Sequence, residues 1–127
     1  HDLDWRLLRC QAVAESDLDA HAVSRVGAQG LAQFMPATWH ELMGDADPFN
    51  PENSIRAQSL YMARLLQRFG GNTAQALAAY NWGQGNISRV ITAHAGDWLQ
   101  HCPPETQAYV ARILDLWRSE APGKVSA

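Results

Sequence analysis

The sequence holds no apolar run approaching the length of a membrane span, so no transmembrane helix is expected. It holds no block of like charge, and its net charge is only -3. Nucleic-acid backbones are gripped through a basic stripe, and without one a nucleic-acid partner is not expected. No secretory leader is visible, and the chain opens on His1 instead of methionine. It therefore reads as an excised or processed piece of a larger chain, with targeting information missing. Internal repeats and low-complexity segments are absent. Strand-like alternation is nowhere convincing, and a small hairpin between Ala20 and Leu31 is the most the pattern leaves room for.

Cysteine is scarce. Cys10 and Cys102 could form one long-range disulfide in an oxidising compartment or stand as two buried thiols. Cys10 fits a helix face as a small hydrophobe, which favours thiols. The histidines His1, His21, His40, His94 and His101 show no metal spacing, so neither a metal nor a cofactor is expected. His40-Glu41 begins like a zinc-protease helix, but Gly44 stands where the second histidine belongs. Gly83-Gln84-Gly85 lacks the third glycine of a dinucleotide loop and follows a helix, not a strand. Neither cysteine sits in a nucleophile signature, and no Gly-x-Ser-x-Gly elbow occurs.

What is present suits one compact domain over residues 1–120, with a frayed tail at 121–127. Of the 127 residues 46% are hydrophobic and 18% charged, enough for a real core. Five tryptophans are many for this length, and some could line a groove. The pattern predicts a mainly α fold of about six helices, α+β at most if the small hairpin forms. The first spans about Leu3 to Glu15, and a short one enters near Pro36 and stops at Gly44. Asn50-Pro51 starts a helix to about Phe69, with Ile55, Met62, Leu65, Leu66 and Phe69 as its stripe and Gly70-Gly71 as its stop. Asn72 caps another over about Thr73 to Trp82. A short helix follows from Asn86, then a loop from Gly96 to Cys102. Pro103-Pro104 opens the last, with its stripe through Tyr109, Val110, Ile113, Leu114 and Trp117.

Glu15 is the residue of most interest. Trp5, Leu8, Ala12 and Glu15 share a helix face, so the carboxylate continues an apolar stripe. That placement is expected to desolvate it and raise its pKa, as a general acid needs. The plain alternative is an ordinary solvent-exposed glutamate at a helix end. Ala79-Tyr80-Asn81-Trp82-Gly83 offers a phenol, an amide and an indole, which suits an N-acetylated sugar or equally a helix terminus with a core tyrosine. Tyr109, taken alone, fits a core position better than a catalytic one.

Four blocks change that balance. Glu15-Ser16 with Ala22-Val23-Ser24, the run Gly27 to Thr38 (GAQGLAQFMPAT), Ala79 to Gly83, and Glu105 to Val110 (ETQAYV) occur in order. Their order and spacing resemble the soluble lytic transglycosylase (SLT) domain, a lysozyme-like family that cleaves bacterial peptidoglycan. The resemblance runs from about Trp5 to Leu116. It implies a glycan-binding groove with Glu15 as the single catalytic acid/base. Ser24 then orients the substrate's N-acetyl group, and Tyr109 faces the active site as a further catalytic residue. Gln33, Tyr80 and Asn81 become substrate-binding residues. Ala32 departs from the family's usual methionine beside the groove, which touches subsite shape and not the chemistry.

The implied reaction cuts the bond between N-acetylmuramic acid and N-acetylglucosamine and leaves a 1,6-anhydromuramic end. Two other readings share the residues: a hydrolytic muramidase of the goose-type lysozyme kind, and a non-catalytic glycan-binding or assembly module. The implied partner is peptidoglycan, met by a monomeric domain in the periplasm, cell envelope or extracellular space. A place within a larger chain, a secretion machine or a phage particle fits equally.

Overall fold

Asp4 sets the start of the first helix. Its carboxylate accepts from the Arg6 backbone N–H at 2.9 Å and so satisfies one of the donors a helix leaves open at its start. In a computed structural model that describes residues 3–120, the chain forms six α-helices and no strand among those residues. The fold is therefore mainly α, as the pattern predicts. The expected tail at 121–127 lies outside the described residues. The helices are α1 (Trp5–Ser16), α2 (Pro36–Met43), α3 (Pro51–Arg68), α4 (Thr73–Trp82), α5 (Gln84–Ala93) and α6 (Pro104–Ser119). A short 3-10 helix, Trp98–His101, occupies the segment expected to be loop.

The start and stop signals work through identifiable bonds. Asn50 accepts from the Asn53 N–H at 3.2 Å, and Asn72 from the Gln75 N–H at 3.0 Å. Gly70 and Gly71 both take positive φ, which lets the Gly71 N–H turn back to the Leu66 carbonyl at 2.8 Å and end α3. α5 begins two residues before the expected Asn86, directly after Gly83 at φ +102. In place of the hairpin there are only isolated bridges, Val23 with Gln29 and Gln29 with Phe34.

The chain divides into two compact units at Tyr61 and Met62. In the first, α1 buries Leu7, Leu8, Cys10, Gln11 and Ala12. Trp5 is 66% exposed, so the apolar stripe expected to run through it to Glu15 begins only at Leu8. The first part of α3 is likewise turned from its expected face. Ile55 is exposed, while Ser54, Ala57 and Gln58 are buried. The cause is a polar contact the pattern could not foresee. Gln58 Nε2 donates to the Leu8 carbonyl at 2.9 Å and to Gln11 Oε1 at 2.8 Å, so buried amides satisfy one another.

In the second unit α4 is the central element. Ala76, Leu77, Ala78 and Ala79 are all fully buried, and the helix packs against both α5 and α6. Alanine on every face lets neighbouring helices approach closely. Ile87 from α5 and Thr106, Val110 and Ile113 from α6 complete this core. Neither cysteine is in a disulfide, and both are buried. Burial pushes the Cys102 thiol pKa up.

Candidate active site

Glu15 stands in the last turn of α1, half-buried, one residue before the helix ends. Asp17 and Leu18 then take left-handed backbone, with φ of 55 and 63, and turn the chain sharply. The Asp17 N–H closes the helix on the Val13 carbonyl at 2.9 Å. Ser16 makes the tie that fixes this corner. Its hydroxyl donates to the Leu31 carbonyl at 2.7 Å, with a longer approach of 3.1 Å to the Ala12 carbonyl. The catalytic candidate is therefore held against the far end of the loop that follows it.

That loop is irregular but closely bonded. The Ser24 N–H donates to the Ala28 carbonyl at 2.9 Å, and Ser24 Oγ accepts from the Ala28 N–H at 3.0 Å. Accepting a backbone bond leaves the Ser24 hydroxyl hydrogen available to donate elsewhere. Gln29 and Phe34 exchange both backbone bonds, at 2.9 and 3.1 Å. Gln33, at φ 54, sends its side-chain Nε2 to the Ala22 carbonyl at 3.2 Å and to the Gly30 carbonyl at 2.9 Å. Both amide hydrogens are used inside the loop, so only the carbonyl oxygen remains to meet a ligand. Ala32 is 0% exposed, so the small residue there is a matter of core packing and does not border a groove.

The aspartates near Glu15 have other employment or none. Asp19 Oδ1 accepts from the His21 N–H at 2.9 Å, a local turn bond, and Asp17 is exposed.

In the second unit, Tyr80 and Asn81 lie in the last turn of α4, both half-buried. Asn81 Oδ1 accepts from the hydroxyl of Thr106, itself buried in α6, at 2.8 Å. This leaves the two amide hydrogens of Asn81 as the chemistry that Thr106 does not use. Tyr109 is half-buried in α6 between the buried Thr106 and Val110. In the sequence Ser16 stands out only as a neighbour of Glu15. Its place at the end of a helix, where a serine can bond outward, is the signal for the tie to Leu31.

A family model described as "Transglycosylase SLT domain" matches residues 1–97. Tyr109 lies beyond that stretch. Among curated proteins, membrane-bound lytic murein transglycosylase F from Alteromonas mediterranea is 38% identical over 103 residues, covering 75% of this chain and 22% of that protein. The transglycosylase of the same name from Sodalis glossinidius is 35% identical over 111 residues, covering 78% of this chain and 24% of that protein. Among solved structures, the 70 kDa soluble lytic transglycosylase of Escherichia coli superposes with a TM-score of 0.83 at 27% identity, over 96% of this chain and 22% of that one. The chain thus spans under a quarter of the length of these relatives.

Proposed function

This chain belongs to the transglycosylase SLT domain family, and on that footing we propose that it carries the catalytic chemistry of a peptidoglycan lytic transglycosylase, with Glu15 as its single acid/base. The observation that carries the assignment is the corner at the end of α1. A half-buried glutamate is followed at once by Ser16, whose hydroxyl pins that helix end to Leu31 of the loop bearing Ser24.

In the proposed reaction, Glu15 donates its proton to the glycosidic oxygen between N-acetylmuramic acid and N-acetylglucosamine, and that bond breaks. The substrate's own N-acetyl oxygen closes on C1 and takes up the developing positive charge, as in substrate-assisted glycosidases. Ser24 donates its free hydroxyl hydrogen to hold the acetamide. Glu15, now a carboxylate, takes the proton of the muramic C6 hydroxyl as that oxygen attacks C1. The acetamide leaves C1, a 1,6-anhydro ring forms, and no water is consumed. The family resemblance further suggests Tyr109 as a catalytic residue, and Tyr80, the Asn81 NH2 and the Gln33 carbonyl oxygen as glycan-binding groups.

A hydrolytic route would need a carboxylate to place water. Asp19, bonded to the His21 N–H, and the exposed Asp17 give no support to that role. Among the described residues no helix is long and apolar enough to cross a membrane. The substrate places the reaction in the cell envelope. The test is to digest purified peptidoglycan with the wild type and with Glu15→Gln and to weigh the muropeptides. Anhydro ends from the wild type, and almost no product from a folded Glu15→Gln, are expected. Reducing ends would assign hydrolysis instead.

A further inference from the structure

The turn between α5 and α6 carries a cluster that the proposed reaction does not use. His94 follows the last residue of α5, and Asp97 and His101 flank the 3-10 helix at its start and end. One ligand atom from each residue lies within 4.8 Å of the others. We propose that His94, Asp97 and His101 form a binding site for one divalent transition-metal ion of the zinc type. The proposal is independent of the glycan chemistry.

Geometry supports it at the level of single atoms. His101 Nε2 and Asp97 Oδ2 are 3.2 Å apart. Two ligands each about 2.0–2.1 Å from a tetrahedral zinc ion stand roughly 3.3 Å apart. This pair is therefore already at the spacing of two ligands on one ion. The His94 ring lies face to face with the His101 ring, with centroids 3.6 Å apart and planes 9° from parallel. An imidazole nitrogen binds a metal in the plane of its ring, so His94 has to swing out of the stack to complete the set. All three residues are exposed, so that swing meets no core packing.

The backbone needs no such change. The Asp97 N–H bonds the His94 carbonyl at 3.3 Å, and the Gln100 N–H bonds the Asp97 carbonyl at 3.1 Å. These bonds hold the three Cα positions in a tight turn before any ion arrives. The site also lies at the C-terminal end of α5, where the unsatisfied carbonyls of a helix favour positive charge. Two imidazoles and one carboxylate select zinc, cobalt, nickel or copper over calcium and magnesium, which prefer all-oxygen shells. Three protein ligands leave at least one position for water. A bound ion would staple the end of α5 to the 3-10 helix that precedes α6.

The test is to titrate zinc chloride, and separately magnesium chloride, into the chain by calorimetry while following the histidine ring protons by NMR. One equivalent of zinc is expected to bind and to move the His94 and His101 signals, with no such response to magnesium. His94→Ala and His101→Ala each remove a direct ligand and should weaken zinc binding by more than the roughly tenfold to hundredfold that losing an outer partner costs. His40→Ala should leave it unchanged, although that ring lies 3.9 Å from Asp45. Zinc bound with wild-type affinity by the His94→Ala/His101→Ala double variant would overturn the site. So would the absence of zinc uptake by the wild type.

Discussion

Gly30 carries the tightest constraint in the first unit. Its φ is +81, and a Cβ added there would stand 2.3 Å from the Pro48 carbonyl oxygen and 3.1 Å from Ser54 Oγ. A backbone oxygen cannot swing aside as a side chain can. Gly27 has φ +96 but nothing within 4 Å of the same position. Gly30→Ala is therefore expected to lose about 1–3 kcal/mol to strain and about as much again to overpacking. Gly27→Ala should lose only the roughly 1–2 kcal/mol of a left-handed non-glycine residue. Urea unfolding of both variants checks this, and equal losses would refute the close contact at Gly30. At Cys102 burial raises the thiol pKa, so the neutral form is favoured in the folded chain and stability falls as pH climbs through the thiol range. The thiolate is the reactive species. Iodoacetamide at mildly alkaline pH should accordingly label native Cys102 much more slowly than the urea-unfolded chain, as peptide mass mapping would show. The sequence shows Gly30 only as one glycine of the run from Gly27 to Thr38. It could not reveal Pro48, which is distant along the chain.

At the scale of elements, the corner between α1 and its following loop is the part with a direct functional reading. Ser16→Ala removes the bond to Leu31 and frees the loop end from the helix end. The stability loss should be near the ~1 kcal/mol net value of a single hydrogen bond. The loss of turnover should be larger, up to about a hundredfold, because small displacements of a catalytic group cost that much. Muropeptide release by Ser16→Ala and by Ser16→Thr separates the cases. Threonine keeps the hydroxyl and should restore most activity, whereas equal activity in all three proteins would deny Ser16 a positioning role. Helix starts and stops were legible because Asn50, Asn72 and Gly70-Gly71 act within one turn of themselves. Buried faces were less so. Gln11 and Gln58 read as polar surface positions until they are seen bonded to each other, and Trp5 and Ile55 read as core although both are exposed. His94 and His101 show no metal spacing in the sequence because they share no regular element, and it is the turn holding Asp97 that brings the three side chains together.

At the scale of the whole molecule, the mainly α fold and the family are both legible in the sequence. Helical periodicity gave the first, and four sequence blocks in order gave the second. The candidate residues divide between the units: Glu15, Ser24 and Gln33 in the first, Tyr80, Asn81 and Tyr109 in the second. What the blocks could not convey is how much of each side chain the fold itself consumes. Gln33 spends both amide hydrogens within its loop, and Asn81 Oδ1 is taken by Thr106. The glycan contacts proposed for them fall to the Gln33 carbonyl oxygen and the Asn81 amide hydrogens. In the proposed reaction one carboxylate, Glu15, acts as acid and then as base. Mass analysis of muropeptides released by the wild type and by Glu15→Gln tests this directly. 1,6-Anhydromuramic ends are expected from the wild type and a near-complete loss of product from a folded Glu15→Gln chain. Release at the wild-type rate by Glu15→Gln would contradict it.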